Sequence, residues 1–391
     1  MNSDMADIVR AGDWHDCWVI RIGPRLKPFA WGQTEAIPRL LHMDSMEGPV
    51  AEAWFGAHES APSAIPGGGD LASYIAADPA GTVGGESLPY LLKVLAIASP
   101  LSLQVHPTVE QARVGFAMEQ DAHVGLAAPE RTFRDARHKP ELIVALTPMR
   151  LLVGMRGARE LADDLRQLGA DTLVPLVDGS ESLLAYVISV LGGDVDGALL
   201  ERLAALPEGD TAASLAGRAA RAFPGDPGAL VALAMNPVLL QPGEGCYVPP
   251  RAIHSYQSGI GVEIMANSDN VVRGGLTPKA IDVQRLEAIL DAVPAGPQRP
   301  HTSREGAATT YSVPVDDFAL MRVEGGAAKT PAAPRIVLAL DATDVTTAGG
   351  TETLPAGQAA FLPLADGVAT LSTQGVAFVA LPGGRAVLAE R

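Results

Sequence analysis

The sequence predicts a mainly β protein with an α-helical insertion and a further β-rich domain toward its C-terminal end. Three observations carry this. Short apolar or alternating runs bounded by Gly, Pro or Asp recur through the first 150 residues and return after residue 240; residues 156–240 place apolar side chains at helical spacing; and strand-like runs follow closely on one another from residue 319 onward. At 391 residues the chain is long enough for roughly two or three domains of ordinary size.

In order, Cys17 to Ile22 is a short strand ending at Gly23-Pro24, residues 36–41 form a helical turn, and residues 49–56 form a strand mixing Glu52 and Trp54 with glycine. Residues 88–97 are an apolar run interrupted by one cation, Lys93, which needs either a partner or a path to water. In the next run Ser102, Gln104 and His106 alternate with Leu101, Leu103 and Val105, so the three polar side chains share one face. Residues 110–116 are helix-like and 131–137 a charged loop. Then His138, Lys139 and Glu141 open an otherwise apolar strand, a polar head on a buried tail.

In the helical stretch Leu161, Leu165 and Leu168 recur at intervals of four and three, and Asp194-Val-Asp-Gly supplies an N-cap. No chemistry is visible there. Residues 238–250 read as strand, Pro-Gly turn and strand, 280–292 as a short helix and 295–306 as a linker. The strands at 319–323, 335–340, 359–363 and 377–381 make a β-sandwich or jelly roll without histidine after His301, expected to be structural.

The bulk numbers exclude several classes. Hydrophobic residues make up 47% of the chain, enough for sizeable cores, and a net charge of −16 without any Lys or Arg run argues against nucleic acid or a basic membrane-binding face. Cys17 and Cys246 form no CxxC pair, which fits a reducing cytoplasm and excludes a thiolate zinc knuckle. No segment is apolar over the ~18 residues a membrane span requires, and the first residues lack a basic-then-apolar leader, so a cytoplasmic protein is expected.

Chemistry concentrates between residues 251 and 279, where His254, Glu263, Asp269, Arg273 and Lys279 lie in a glycine-rich, strand-like segment. In Ile260-Gly-Val262-Glu263-Ile264 the two aliphatic side chains go one way and Glu263 the other. An isolated strand Glu is ordinarily solvated; the cations around this one argue for an inward carboxylate held by a partner. Gln104, His106, Glu141 and His254 together offer two imidazoles, a carboxylate and an amide oxygen, a donor set for a divalent ion such as zinc with room left for water or substrate. Of these, only Gln104 and His106 are neighbours in sequence.

The runs LSLQVHP (101–107), HKPELIVALTP (138–148), VPPRAIHSY (248–256) and GVEIMANSDNVVRGGLTPK (261–279), with FAWGQ and VAEAWFGAHESAPS nearer the start, resemble the type I mannose-6-phosphate isomerases, metal-dependent enzymes of the cupin superfamily. The resemblance covers about residues 18–290, with the helical part divergent, and SDNVVRGGLTPK is its most specific stretch. It implies cupin-type jelly-roll barrels: a catalytic barrel from residues 1–150 and 241–295, a helical domain at 151–240 inserted into it, and a jelly-roll-like domain at 296–391. It further implies one zinc per chain on Gln104, His106, Glu141 and His254, with Arg273, Lys139 and Glu263 catalytic and Lys93 and Ser102 on the phosphate. His138 would orient the lysine. Pro250-Arg251 departs from the family's usual Ala-Gly or Pro-Gly and leaves His254 in register.

The implied reaction interconverts mannose 6-phosphate and fructose 6-phosphate by proton transfer through a cis-enediol. The sequence leaves the base open among Glu263, Lys139 and, as a third candidate with an equal case for a turn role, Asp269. The implied partner is a small sugar phosphate, with no nucleic acid or membrane and a monomeric chain. The competing readings are an iron-dependent cupin dioxygenase, which would not need Gln104 or the cations Lys93, Lys139 and Arg273, and a non-catalytic metal- or sugar-phosphate-binding cupin.

Overall fold

The computed structural model describes residues 19–128 and 130–384. Cys17 and the residues before it lie outside them, and the first strand described is Ile20–Ile22. The described residues form two compact units that do not follow the linear order of the chain: one takes residues 19–29, 34–94 and 300–384, the other takes 30–33 and 95–299.

In the first unit a nine-stranded antiparallel sheet runs Ile20–Ile22, Ala359–Leu362, Arg335–Ala339, Ala369–Leu381, Ala319–Thr330, Ala308–Ser312, His301–Glu305, with the hairpin Thr343–Thr347 and Gly350–Leu354 joined to Ala369–Leu381. The two long strands extend well past the apolar runs visible in sequence. Their paired ends, at Glu324 and Lys329 of one and Thr370 and Ser372 of the other, turn alternate polar residues outward. Alternate residues such as Val323, Val337, Val345, Leu371 and Val379 form the core.

The second unit pairs Glu141–Ala145 with Gly245–Val248 and with the far half of His254–Ala266, while Met149–Met155 pairs with Met235–Leu240 and with the near half of that long strand. The short strand Gln104–Val105 lies between His254 and Val272–Arg273. Five helices, Ala158–Gln167, Leu184–Gly192, Gly197–Ala204, Ala212–Ala222 and Gly228–Leu233, fill the stretch of helical periodicity. Asp196 caps the third, its carboxylate accepting the N–H of Ala198. The helix read at 110–116 runs from Val109 to Asp121, opened by a capping box between Thr108 and Gln111. The helix read at 280–292 is only Val283–Ile289, capped by Asp282.

The helices do more than wall the unit. Leu103, Val105, Leu152, Ile253 and Val272 join the helical core through Leu161, Leu165, Tyr186, Leu215 and Leu230. Four of those residues adjoin a polar one of opposite face: Gln104, His106, His254 and Arg273 alternate with Leu103, Val105, Ile253 and Val272. One face of these strands is therefore anchored by burial, at ~1.5–3 kcal/mol per large aliphatic side chain, and the other is free for chemistry. Asp226, just before the helix Gly228–Leu233, accepts the N–H of Thr277 through Oδ2 at 3.1 Å, and Gly228 lies so close to Gly275 that a Cβ on Gly275 would sit 2.6 Å from the Gly228 Cα. That contact pins the loop that follows Arg273.

Arg251 occupies the point where the sequence departs from its look-alikes, and its φ of +73° is a left-handed conformation that favours glycine. Its N–H donates to the His106 carbonyl at 2.7 Å, its Nε to the Ile289 carbonyl at 3.2 Å, and its carbonyl accepts from Asp291. The turn thus keeps a strained residue through bonds that also hold the His106 backbone. Arg251→Val is expected to be less stable than Arg251→Gly by about 1–2 kcal/mol in urea unfolding, because a β-branched side chain tolerates this φ worst. Equal stabilities would show that the turn re-forms without the left-handed residue.

Candidate active site

His254 and Glu263 are both candidate site residues of the long strand His254–Ala266, yet they stand an odd number of residues apart, which in a regular strand puts them on opposite faces. A bulge corrects this. Tyr256 pairs with Leu151 but Ser258 with Arg150, so Gln257 is an extra residue and the parity flips beyond it. Gly259, at φ +111°, makes the bulge possible: a Cβ there would lie 2.6 Å from Met149 Cγ and 2.7 Å from the Pro148 carbonyl. Glu263 then faces the side of His254 and Tyr256.

The neighbouring strands aim at the same face. Gln104 stands opposite His254 on one side and Arg273 on the other, one row of three cross-strand side chains. Glu141 pairs with Met265 and Ile143 with Glu263, which puts Glu141 on the same face as Glu263. The strands thus converge His106, Glu141 and His254, whose ligand atoms lie within 4.8 Å of one another.

Hydrogen bonds fix how these imidazoles are protonated. His106 Nδ1 lies 2.7 Å from the Asn270 carbonyl and His254 Nδ1 3.1 Å from the Ala252 carbonyl; a carbonyl can only accept, so each Nδ1 carries the proton. In the neutral ring Nε2 is then a lone pair. Yet His106 Nε2 faces Glu141 Oε1 at 3.1 Å without an aligned hydrogen bond, and His254 Nε2 faces Oε2 at 3.3 Å. Acceptors meet acceptors at a place where His106 is 1%, His254 2% and Glu141 4% exposed. A cation between them reconciles the arrangement, and imidazole with carboxylate suits zinc. The carbonyls behind each Nδ1 orient the rings for it.

The charges agree. Burial above all, then the Lys139 ammonium, lowers the His106 pKa to about 4, so the ring is neutral near pH 7. For Glu141 burial works upward, but Lys139 and the two histidines outweigh it and hold the carboxyl well below its usual range. Lys139 is itself buried, with Nζ 3.2 Å from Glu141 Oε1. Tyr256, 3.4 Å from Glu141 Oε2, stays a phenol: burial, then Glu263 and Glu141, raise its pKa well above the ordinary value.

A second feature lies on the loop side. Arg273 is partly buried, its pKa lowered first by burial and then by Arg134, while Lys279 is lowered first by Arg273, then by burial and Arg134. None of these three cations has an ion pair among the described residues. Their positive charge is left uncompensated on this side. Ser102 is half-buried two residues from Gln104, its neighbours Leu101 and Leu103 bonded to the Tyr256 and Gly275 carbonyls. Lys93 lies in the other unit, buried, with Nζ 3.9 Å from Glu52 Oε2 and 4.8 Å from the Trp54 ring centroid. Asp269 gives its N–H to Asp135 Oδ2 at 3.0 Å, and His138 is half-buried beside Lys139.

Sequence reading overlooked Tyr256, Arg134 and Asn270. Tyr256 carried a signal, standing two residues from His254 on the same face. Arg134 sits in a loop with no periodicity to mark it, and Asn270 looked like any turn residue.

Comparison with known proteins gives one answer. The sequence profile of the phosphomannose isomerase type I catalytic domain matches residues 19–158. The mannose-6-phosphate isomerase of Escherichia coli strain K12 is 34% identical over 313 residues, covering 74% of this chain and 80% of its own. That of Rattus norvegicus is 30% identical over 406 residues, 90% of this chain and 91% of its own. The structure of the Salmonella typhimurium mannose 6-phosphate isomerase bound to its substrate, fructose 6-phosphate, and to zinc is 28% identical, superposes with a TM-score of 0.87, and covers 94% of this chain and 100% of that one.

The His106 shift sets a pH dependence. Folded, His106 is neutral down to about 4, whereas an ordinary histidine takes up its proton near 6.5. Between these values the unfolded chain binds more protons, so this group's contribution is full above pH 6.5 and is lost as pH falls toward 4. The Glu141 contribution disappears in the same direction, but below its ordinary value of 4.5. In chelated protein the Tm is expected to fall across the His106 window, less steeply in His106→Asn; an equal slope in the variant would contradict this assignment.

Proposed function

The chain belongs to the type I phosphomannose isomerases, and from that premise we propose that it interconverts D-mannose 6-phosphate and D-fructose 6-phosphate at one zinc ion held by Gln104, His106, Glu141 and His254. The observation that carries this reading is the pair of imidazole lone pairs facing a buried carboxylate, with Lys139 beside it and Arg273 in the same cross-strand row. An apolar oxygenase substrate would have no use for Lys139, Arg273 and Lys279.

Isomerisation takes a proton from carbon 2, returns one to carbon 1 and passes the O2 hydroxyl proton to O1, through a cis-enediol. When bound, zinc supplies Lewis-acid polarisation and orientation of the sugar oxygens. Lys139 and Glu263 are the proton carriers. We take Lys139 as the base at carbon, because it is buried at the cluster with Nζ 3.2 Å from Glu141 Oε1. Glu263, on the same strand face as Glu141, serves the hydroxyl protons. The Arg273 guanidinium presents fixed N–H donors to the charge that builds on the enediolate.

For the phosphate this reading takes Ser102 from the resemblance and adds Arg134 and Lys279 from the uncompensated charge around Arg273. The role of Lys93 rests on the resemblance alone. We also infer a monomeric cytoplasmic enzyme acting on free sugar phosphate, in line with its net charge of −16 and with the lack, among the described residues, of a helix long and apolar enough to cross a membrane.

A coupled assay of mannose 6-phosphate turnover, before and after chelation and with zinc restored, tests the reading: activity is expected to vanish and return. No turnover in a folded, zinc-replete sample would overturn it and leave a sugar-phosphate-binding protein. His254→Ala should lose zinc and turnover together. Arg273→Ala should lower kcat by about 10²–10³-fold with zinc retained, since it removes a donor used only as charge develops. Zinc lost in step with activity would make the arginine structural. Lys279→Ala should act chiefly on KM; an unchanged KM would remove it from the phosphate.

A further inference from the structure

Loop 134–137 has no regular secondary structure, yet it leads directly into His138 and Lys139 and carries Arg134. Its hydrogen bonds converge on one side chain. Asn270, fully buried, accepts the N–H groups of Arg134 and Asp135 through Oδ1, at 2.8 and 3.3 Å. Its Nδ2 donates to the Asp135 carbonyl at 2.9 Å, to Asp135 Oδ1 at 3.1 Å and to the Arg137 carbonyl at 2.8 Å. The Asp135 carboxylate closes the knot by accepting from the Ser268 hydroxyl, the Asp269 N–H and the Arg137 N–H. The backbone carbonyl of the same Asn270 accepts His106 Nδ1–H at 2.7 Å.

We infer that Asn270 is a positioning residue for the isomerase reaction: it locks loop 134–137, and with it Arg134 and Lys139, to the backbone carbonyl that sets the His106 tautomer. The inference rests on the isomerase reading above. The chemistry of the position is specific. Only a side-chain amide both donates and accepts here; aspartate would turn a second acceptor toward two carbonyls and the Asp135 carboxylate, and leucine would leave the loop's buried polar groups unpaired. A loop released by its loss could move Lys139 by an ångström or so, enough to slow chemistry by up to about 10²-fold.

The test compares wild type, Asn270→Ala, Ser268→Ala and Tyr186→Phe. The last removes a remote buried hydrogen bond, Tyr186 Oη to the Leu230 carbonyl at 2.8 Å, and controls for lost stability. Wild-type turnover is measured first and decides the isomerase reading by itself; its absence would overturn both. In Asn270→Ala, kcat should fall by about 10–100-fold, the usual range for residues that support a ligand or catalytic group. KM should move far less, and amide exchange over 134–139 should quicken while the helices keep wild-type protection. Tyr186→Phe should keep its kcat. A kcat for Asn270→Ala within about twofold of wild type, or unchanged exchange in the loop, would overturn the inference. Should Asn270→Ala not fold, Ser268→Ala, lacking one hydroxyl of the knot, carries the test: a kcat about threefold lower, with faster loop exchange, is expected, and unchanged values overturn it.

Discussion

A carboxylate sealed from water needs compensation from all sides, and Glu141 has it: two imidazoles, an ammonium and a phenol surround its two oxygens. Burying such a group alone is prohibitive, and pairing it with lone pairs is worse. The arrangement makes sense only around a cation, and much else follows from that demand. His106 and His254 must show Nε2 inward, so each Nδ1 needs a carbonyl behind it. Those carbonyls belong to Asn270 and Ala252, whose own segments must then be held.

The holding is done from outside the site. Helices of residues 158–233 press on the back of the strands whose fronts carry Gln104, His106, His254 and Arg273. Asp226 and the Gly228–Gly275 contact fix the loop after Arg273, and Arg251 maintains an unfavourable backbone angle to bind the His106 carbonyl. On the other side Glu119, buried at the end of the Val109–Asp121 helix, accepts the N–H groups of Thr132 and Phe133 and pairs with Arg131 and Arg285, securing the start of the loop that Asn270 completes. Rigid backing of a polar front is what a preorganised site requires.

Much of this was legible in the sequence, for definite reasons. Alternation placed Ser102, Gln104 and His106 on one face, because a strand has a period of two whatever surrounds it. The leucine spacing from residue 161 announced helices for the same kind of reason. The helix Ala212–Ala222 buries mostly small side chains and Gly228–Leu233 is buried all round, so neither carried such a stripe. The bulge at Gln257 was out of reach: parity along the strand separates Glu263 from His254, and only pairing with Met149–Met155 shows the extra residue. Nor could local pattern reveal Asn270 or Arg134, whose roles arise from contacts between segments more than a hundred residues apart in the chain. The functional reading itself came from the resemblance of whole motifs, which spacing alone would not have supplied.

The most direct test of the account is anomalous diffraction at the zinc edge from crystals grown with zinc and fructose 6-phosphate. One peak is predicted, at roughly 2.0–2.2 Å from the Nε2 atoms of His106 and His254 and from a Glu141 oxygen, with the Gln104 amide oxygen turned to it and the sugar hydroxyls on its open side. A peak elsewhere, or ordered sugar phosphate with no metal among these residues, would contradict the account at its root.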